Sequence, residues 1–499
     1  MRRISSNRTW KELKTINDLR DREHFLKDVS CHGPSRLALI FPNTYEVASA
    51  SLSYHDLFYR MNNPQGIGCE RFFYDETSRS YFSLDSPSVI TDFRIWAFSI
   101  HFEADLLNVL FMLHDLGVPL NPSERSEKHP VIIIGGSLSL FMKSALEYVG
   151  DYVYEGELAE GFVDNLAELK LEEHTRQSAI TFLDNYSRIE SHLEQGILSD
   201  HAESAYLTPN SVFPNRFLLE ISRGCRHRCA FCVMGHTFGG PRHLPYSSIE
   251  DSLLKAMNHT KKVGLVAAEA NDHPDIDKVA QFALERGLDL SVSSLRADSL
   301  SSHLLNALKN GSQKQFTIAP EGGSQKVRNL LGKALSGRDI EVALRLGREV
   351  GFERIKLYFI YGVPGEDTND LRDVSSIVSF CKGIGYSRIT VSLNPLIPKP
   401  GTLFEGSEMS AISELKEKRK LLKALLNMEG VKADFESIRE SVSQYVISNM
   451  SDDIYRGLAE CVQNREKKEA YRYLINQSLT MSGKRKEWVR NGKEEHTCC

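Results

Sequence analysis

The sequence contains no run of eighteen apolar residues, the length a membrane-crossing helix needs. Its start, Met1-Arg-Arg-Ile-Ser-Ser-Asn7, leads into a charged segment and lacks the apolar stretch of a secretory signal. A soluble, cytoplasmic protein without a membrane partner is therefore expected. No charge dominates either. The 61 Lys and Arg against 66 Asp and Glu leave a net −5, so no broad basic field invites a nucleic-acid backbone. A disulfide framework is also missing. Nine cysteines, an odd number, fall at positions 31, 69, 225, 229, 232, 381, 461, 498 and 499, which suits a reducing compartment. What remains is an ordinary globular composition, 41% hydrophobic and 25% charged over 499 residues. That length suffices for two or three domains with their own cores.

Three cysteines break the scatter. In the run Ser222-Arg-Gly-Cys-Arg-His-Arg-Cys-Ala-Phe-Cys232, Cys225, Cys229 and Cys232 are separated by three and then two residues. Three thiolates on one loop can each take one iron of a cubane 4Fe-4S cluster and leave the fourth iron open. An open position distinguishes a catalytic metal site from a structural one. The run resembles the CxxxCx(aromatic)C signature of the radical S-adenosylmethionine (SAM) enzymes, with Phe231 in the aromatic place. That resemblance implies a SAM molecule chelated through its amine and carboxylate by the open iron. It also implies an electron donor such as ferredoxin or flavodoxin, whose electron lets the cluster split SAM to a 5'-deoxyadenosyl radical. From the residues alone, a zinc loop completed by His227 or His236 stays open, as do three incidental thiols.

Apolar runs alternate with helical spacing along the chain. A polar extension covers residues 1–34. Within 35–193, strands are expected at 36–41, 95–100, 131–134 and 152–154, and helices at 47–60, 104–116 and 140–149. This order predicts a Rossmann-like, doubly wound parallel sheet whose ligand sits at the carboxyl ends of its strands. A linker at 194–214 leads to a second unit, 215–405, with strands expected at 216–221, 262–267, 288–293, 315–318, 354–361 and 388–393. Six such repeats suit a partial barrel, with the three-cysteine loop at the carboxyl end of its first strand. Residues 406–499 read as helical, over 412–428, 435–450 and 453–473, a segment able to close the barrel mouth or recognise a large substrate. The tail holds His496 and the pair Cys498-Cys499, read as a solvated end or an extra metal-ligand set.

The loops of the first unit carry Asn43 and Tyr45 within Pro42-Asn-Thr-Tyr-Glu46, then Gly135-Gly136-Ser137, then Gly156-Glu157. In layout they resemble the cobalamin-binding domain that precedes the radical SAM domain in cobalamin-dependent members. The resemblance makes Asn43, Tyr45, Gly135, Gly136, Ser137 and Glu157 candidate cobalamin contacts. A domain that holds no cofactor and serves packing or docking is the alternative. The Asp-x-His-x-x-Gly motif of cobalamin domains with a histidine ligand is absent. His55 and His101 are accordingly read as structural, and a bound cobalamin is expected to lack a lower histidine.

In the barrel, Ala267-Ala268-Glu269 stands in place of the family's Gly-Gly-Glu motif, which meets the SAM amine. The segments Ser293-Ser-Leu-Arg-Ala-Asp298 and Ala319-Pro-Glu-Gly-Gly-Ser324, followed by Arg328, resemble further SAM contacts. Glu321 and Ser293 are then candidates for the ribose hydroxyls, and Arg328 for a bidentate grip on the methionine carboxylate. A helix cap at Ser324 and a surface ion pair for Arg328 are the plain alternatives. Tyr358 and Tyr361 face either the substrate cavity or the core. Together these features predict a cobalamin-dependent radical SAM methyltransferase acting on an unactivated carbon, a protein side chain being one substrate class. A cobalamin-free radical SAM enzyme is the alternative. A methylthiotransferase would want a second three-cysteine set near the N-terminus and a β-barrel after the radical domain, whereas only Cys31 and Cys69 are present there.

Overall fold

A computed structural model describes residues 10–33, 35–63, 67–74, 81–158, 161–168, 175–186, 196–464 and 467–478. Five parallel strands form the first sheet: β1 (Ser35–Phe41), β2 (Ile67–Phe73), β3 (Ile95–Ser99), β4 (Val131–Gly135) and β5 (Tyr152–Val153). Their order is β2-β1-β3-β4-β5. Near-continuous apolar runs make β1, β3 and β4, as expected of strands covered on both faces. The strand β2 was not anticipated, because Glu70 and Arg71 interrupt its apolar run. Both are buried, and burial is tolerated because both are paired. Arg71 Nη1 and Nη2 reach the two carboxylate oxygens of Glu23 at 2.8 and 2.7 Å, and Nη2 reaches Asp85 at 2.6 Å. Glu70 accepts from Arg36 at 2.7 Å. Residues before β1 are thus part of the structure, and His24–Phe25 also pairs antiparallel with Tyr206–Leu207.

Seven parallel strands follow in chain order: β6 (Phe217–Glu220), β7 (Lys262–Val266), β8 (Asp289–Ser291), β9 (Gln315–Glu321), β10 (Arg354–Tyr361), β11 (Arg388–Pro395) and β12 (Val431–Phe435). They lie side by side as β8-β7-β6 and β9-β10-β11-β12. A single bridge between Leu295 and Ile318 links the two groups into an open barrel. In β10, residues alternate between buried and half-buried, with Ile355, Leu357, Phe359 and Tyr361 turned to the core. Tyr361 is therefore a core residue at 1% exposure. The seventh strand, Val-Lys-Ala-Asp-Phe, lies inside the segment read as helical; its alternation of apolar and polar residues is that of a half-buried edge strand.

Two of the C-terminal helices reach the first unit. Ile438–Ser448 and Asp452–Gln463 pack on the helix Glu103–Asp115 of the first unit, where Tyr445, Val446, Ile447 and Leu458 join a core built on Trp96 and Phe98. Glu103–Asp115 is buried along most of its length, from Leu106 to Leu113 on a mostly apolar run, because it is covered by the sheet and by these helices. Each such fully buried side chain contributes about 1.5–3 kcal/mol. A buried polar contact locks the junction: Glu103 accepts from Lys399 at 2.5 Å and from Ser448 at 3.2 Å. No helix among the described residues is long and apolar enough to cross a membrane. His496 and the Cys498-Cys499 pair lie outside the described residues.

Candidate active site

The three-cysteine loop leaves β6 through Ser222–Arg223, which pairs antiparallel with Arg242–His243. Gly224 makes the turn at φ +80°, and a Cβ there would stand 2.4 Å from the Gly240 carbonyl oxygen. Glycine is needed for both reasons. Cys225, Cys229 and Cys232 are free thiols, Cys229 buried and the other two half-buried. The loop is fastened from several sides. Ala230 N donates to Leu331 O at 2.8 Å and Leu403 N to Ala230 O at 3.0 Å. Phe231 packs on Val327, Leu331, Val363 and Leu396. His227 Nε2 lies 2.7 Å from Asp272, and His236 Nε2 lies 3.1 Å from the Cys229 carbonyl. Each of these histidines is thus oriented through one ring nitrogen. Among the described residues, no three His, Cys, Asp or Glu side chains converge where one metal ion would sit, whereas a cubane takes its thiolates one per iron.

Charged side chains gather beside Cys229. Glu269 follows β7, and burial pushes its carboxyl up to about 7 against the pull of Lys333 and Arg296; one oxygen accepts from Arg296 N at 3.2 Å. Glu321 ends β9 at φ +64°. Burial raises its pKa, opposed by Lys333, whose Nζ is 3.6 Å away. Burial raises the Cys229 thiol too, and Lys333 and Arg296 pull it back. Two carboxylates and the buried ammonium of Lys333 therefore share one space with the cluster cysteines. In sequence, Lys333 is a lone lysine in a turn and reads as a solvated side chain; its 7% exposure places it inside instead. Arg296 is held by Asp298 through contacts of 2.9 and 2.8 Å.

Arg328 departs from its expected role. Nε donates to Leu335 O at 3.0 Å, Nη1 to Gly322 O and Gly323 O at 3.1 and 2.7 Å, and Nη2 to Gln325 Oε1 at 3.0 Å. The guanidinium is spent on its own turn and offers no fork to a carboxylate. Ser324 caps the helix Gln325–Leu330 by accepting from Val327 N. Ser293 lies exposed, two residues beyond the end of β8.

A cavity of about 510 Å³ separates the two sheets. One wall comes from the carboxyl ends of β1, β3 and β4 with their loops, including Gly135, Gly136 and Ser137; the other comes from the ends of β6 and β7, including Ala267 and Ala268. Its surface is mostly apolar, with Leu39, Ala97, Ile133 and Val266 contributing. Gly156 borders it at φ +99°, and a Cβ there would meet nothing within 4 Å, so the backbone leaves a cradle. Apolar walls and a bare glycine suit the face of a flat ring system, and Asp56, Arg60, Asp200 and Glu220 on the border suit polar substituents around it. Glu157 lies on the same border and ties the units together. It accepts from Arg223 and from Arg242, the latter through two contacts. Burial would raise its pKa, but the two guanidinium groups outweigh burial and lower it. Asn43 and Tyr45 do not line this cavity. Asn43 Nδ2 donates to Asp105 at 2.9 Å, and the Tyr45 hydroxyl to Glu23 at 2.8 Å; both side chains support the loop from outside.

Comparison with known proteins follows this division. A family model described as radical SAM proteins, N-terminal, matches residues 53–192, and the radical SAM superfamily model matches residues 219–376. An uncharacterized protein of Methanocaldococcus jannaschii is 26% identical over 427 residues, which cover 85% of this chain and 90% of that protein. A tRNA-2-methylthio-N(6)-dimethylallyladenosine synthase of Chlorobium phaeobacteroides is 26% identical over 131 residues, 22% of this chain and 29% of that one. Among solved structures, the radical S-adenosylmethionine methyltransferase TsrM of Kitasatospora setae aligns with TM-score 0.45 at 14% identity, covering 71% of this chain and 72% of its own. The cobalamin-dependent S-adenosylmethionine radical enzyme OxsB aligns with TM-score 0.47 at 14% identity, covering 90% and 72%. With both domain models in place and three free thiols on the loop after the first barrel strand, the chain belongs to the radical SAM superfamily.

Proposed function

We propose that the protein is a cobalamin-dependent methyltransferase of this superfamily, acting on an unactivated carbon, with a protein side chain as the substrate class. A bound 4Fe-4S cluster supplies the electron that cleaves SAM, and a bound cobalamin supplies a transferable methyl group. Cys225, Cys229 and Cys232 would hold the cluster. Glu269 and Glu321 suit the SAM ammonium and ribose hydroxyls, and Lys333 takes over the methionine carboxylate that Arg328 is not free to bind. The carrying observation is the shared cavity: a ligand seated on the first sheet would meet, on the opposite wall, the ends of β6 and β7 and Gly224 at the start of the cluster loop. A methylthiotransferase is not favoured, since Cys31 and Cys69 are two thiols packed in the first unit, one of them fully buried.

Anaerobic purification tests the reading. Expected are about four irons and four sulfides per chain, SAM-dependent formation of 5'-deoxyadenosine, and corrin absorption after reconstitution with cobalamin. Transfer of label from methyl-labelled SAM to a protein fraction would identify the substrate class. A full cluster with no corrin uptake would overturn the cobalamin half and leave a cobalamin-free radical SAM enzyme.

A further inference from the structure

In a sheet of order β2-β1-β3-β4-β5 the winding reverses between β1 and β3, and ligands sit at the carboxyl ends of those two strands. β1 ends at Phe41 and continues into Pro42-Asn43-Thr44, with no histidine. β3 ends at Ser99, and His101 follows two residues later. The imidazole stacks on Phe41 with centroids 5.6 Å apart and planes at 21°, so the ring stands over the reversal point, and it lines the cavity. Serine hydroxyls orient it: Ser99 Oγ lies 2.9 Å and Ser53 Oγ 3.3 Å from Nε2, and Ser137 Oγ lies 3.3 Å from Nδ1. Placing the ring proton on Nε2, where Ser99 accepts it, leaves the Nδ1 lone pair against the more distant Ser137. A neutral imidazole held by outer hydrogen bonds is the form in which histidine binds metals.

We propose that His101 is the lower axial nitrogen ligand to the cobalt of a cobalamin bound in this cavity, an inference that rests on the cobalamin reading above. The missing Asp-x-His-x-x-Gly motif led to the expectation of a lower face without histidine. That motif would place its histidine after the first strand, whereas here the loop on the other side of the same reversal point carries one.

Paramagnetic resonance of the cluster-loaded protein reconstituted with cob(II)inamide, which lacks the nucleotide base, tests the assignment. Each cobalt hyperfine line should split into three from one 14N nucleus, and into two when the chain is grown with 15N-histidine. His101→Ala should bind the corrinoid without the splitting. Unsplit lines in the loaded wild-type protein, or a splitting that ignores the isotope or survives His101→Ala, would overturn the assignment and leave the cobalamin reading standing. A wild-type protein that takes up no corrinoid would overturn both. Isotope labelling uses the unaltered chain, so the test holds even where the variant fails to fold.

Discussion

Lys333 Nζ lies 3.6 Å from Glu321 Oε1, both side chains being nearly excluded from water. An ammonium in such a place compensates two carboxylates, Glu321 and Glu269, and opposes the burial that raises the Cys229 thiol. Lys333→Met keeps the length of the side chain and removes its charge. A charge-assisted hydrogen bond contributes roughly 1.5–3 kcal/mol, so the Kd for SAM should rise by about 10- to 100-fold. Iron content should stay at the wild-type level. Equilibrium binding under anaerobic conditions measures the first and metal analysis the second; unchanged SAM affinity would remove Lys333 from the site.

Arg328 should behave in the opposite way. Its donors hold the carbonyls of Gly322, Gly323 and Leu335 together. Arg328→Met leaves those carbonyls without their partner, at a cost on the order of 3 kcal/mol. The thermal midpoint should fall by several degrees, while the SAM Kd of the folded variant should match the wild type. A large loss of SAM affinity in protein of undiminished stability would restore the carboxylate-binding role expected from sequence.

Glu269 makes the stability of the cofactor-free protein depend on pH. Its folded pKa, about 7, lies above the ordinary value of 4.5, so the folded state holds a proton that the unfolded chain releases earlier. The corresponding stability is fully present below pH 4.5 and is lost as pH rises through 7. Between pH 5 and 7.5 the wild-type denaturation free energy should therefore fall relative to that of Glu269→Gln, which cannot ionise. Parallel pH profiles from chemical denaturation of the two proteins would contradict the buried position of this carboxylate.

The legible parts of the sequence were those whose pattern is local. The apolar runs of β1, β3 and β4 and the spacing of Cys225, Cys229 and Cys232 need no distant partner to be read. β2 escaped because the salt bridges that make Glu70 and Arg71 tolerable come from Glu23, Arg36 and Asp85, outside its own segment. β12 escaped because five alternating residues between two helices carry too short a period to stand out. Arg328 matched a motif position, yet its free donors were decided by the turn of backbone folded around it. Lys333 shows the converse, a residue of no recognisable pattern made prominent by burial alone.

The two glycines at the edges of the site should separate cluster loading from cavity occupancy. Gly224 and Gly156 both have left-handed backbone, which costs an L side chain about 1–2 kcal/mol. They differ in surroundings. A Cβ on Gly224 would meet the Gly240 carbonyl oxygen at 2.4 Å and that of Gly239 at 3.1 Å, so the turn that presents Cys225 would have to open. Gly156 has free space, but that space belongs to the cavity. Gly224→Ala should therefore lose most of its iron with all three cysteines intact, approaching the loss expected of Cys229→Ala, which removes a thiolate outright. Gly156→Ala should keep full iron content and bind the corrinoid several-fold more weakly. Metal analysis and corrin absorption on the same preparations measure both quantities, and a full cluster in Gly224→Ala would mean that the loop geometry around Cys225 does not govern assembly.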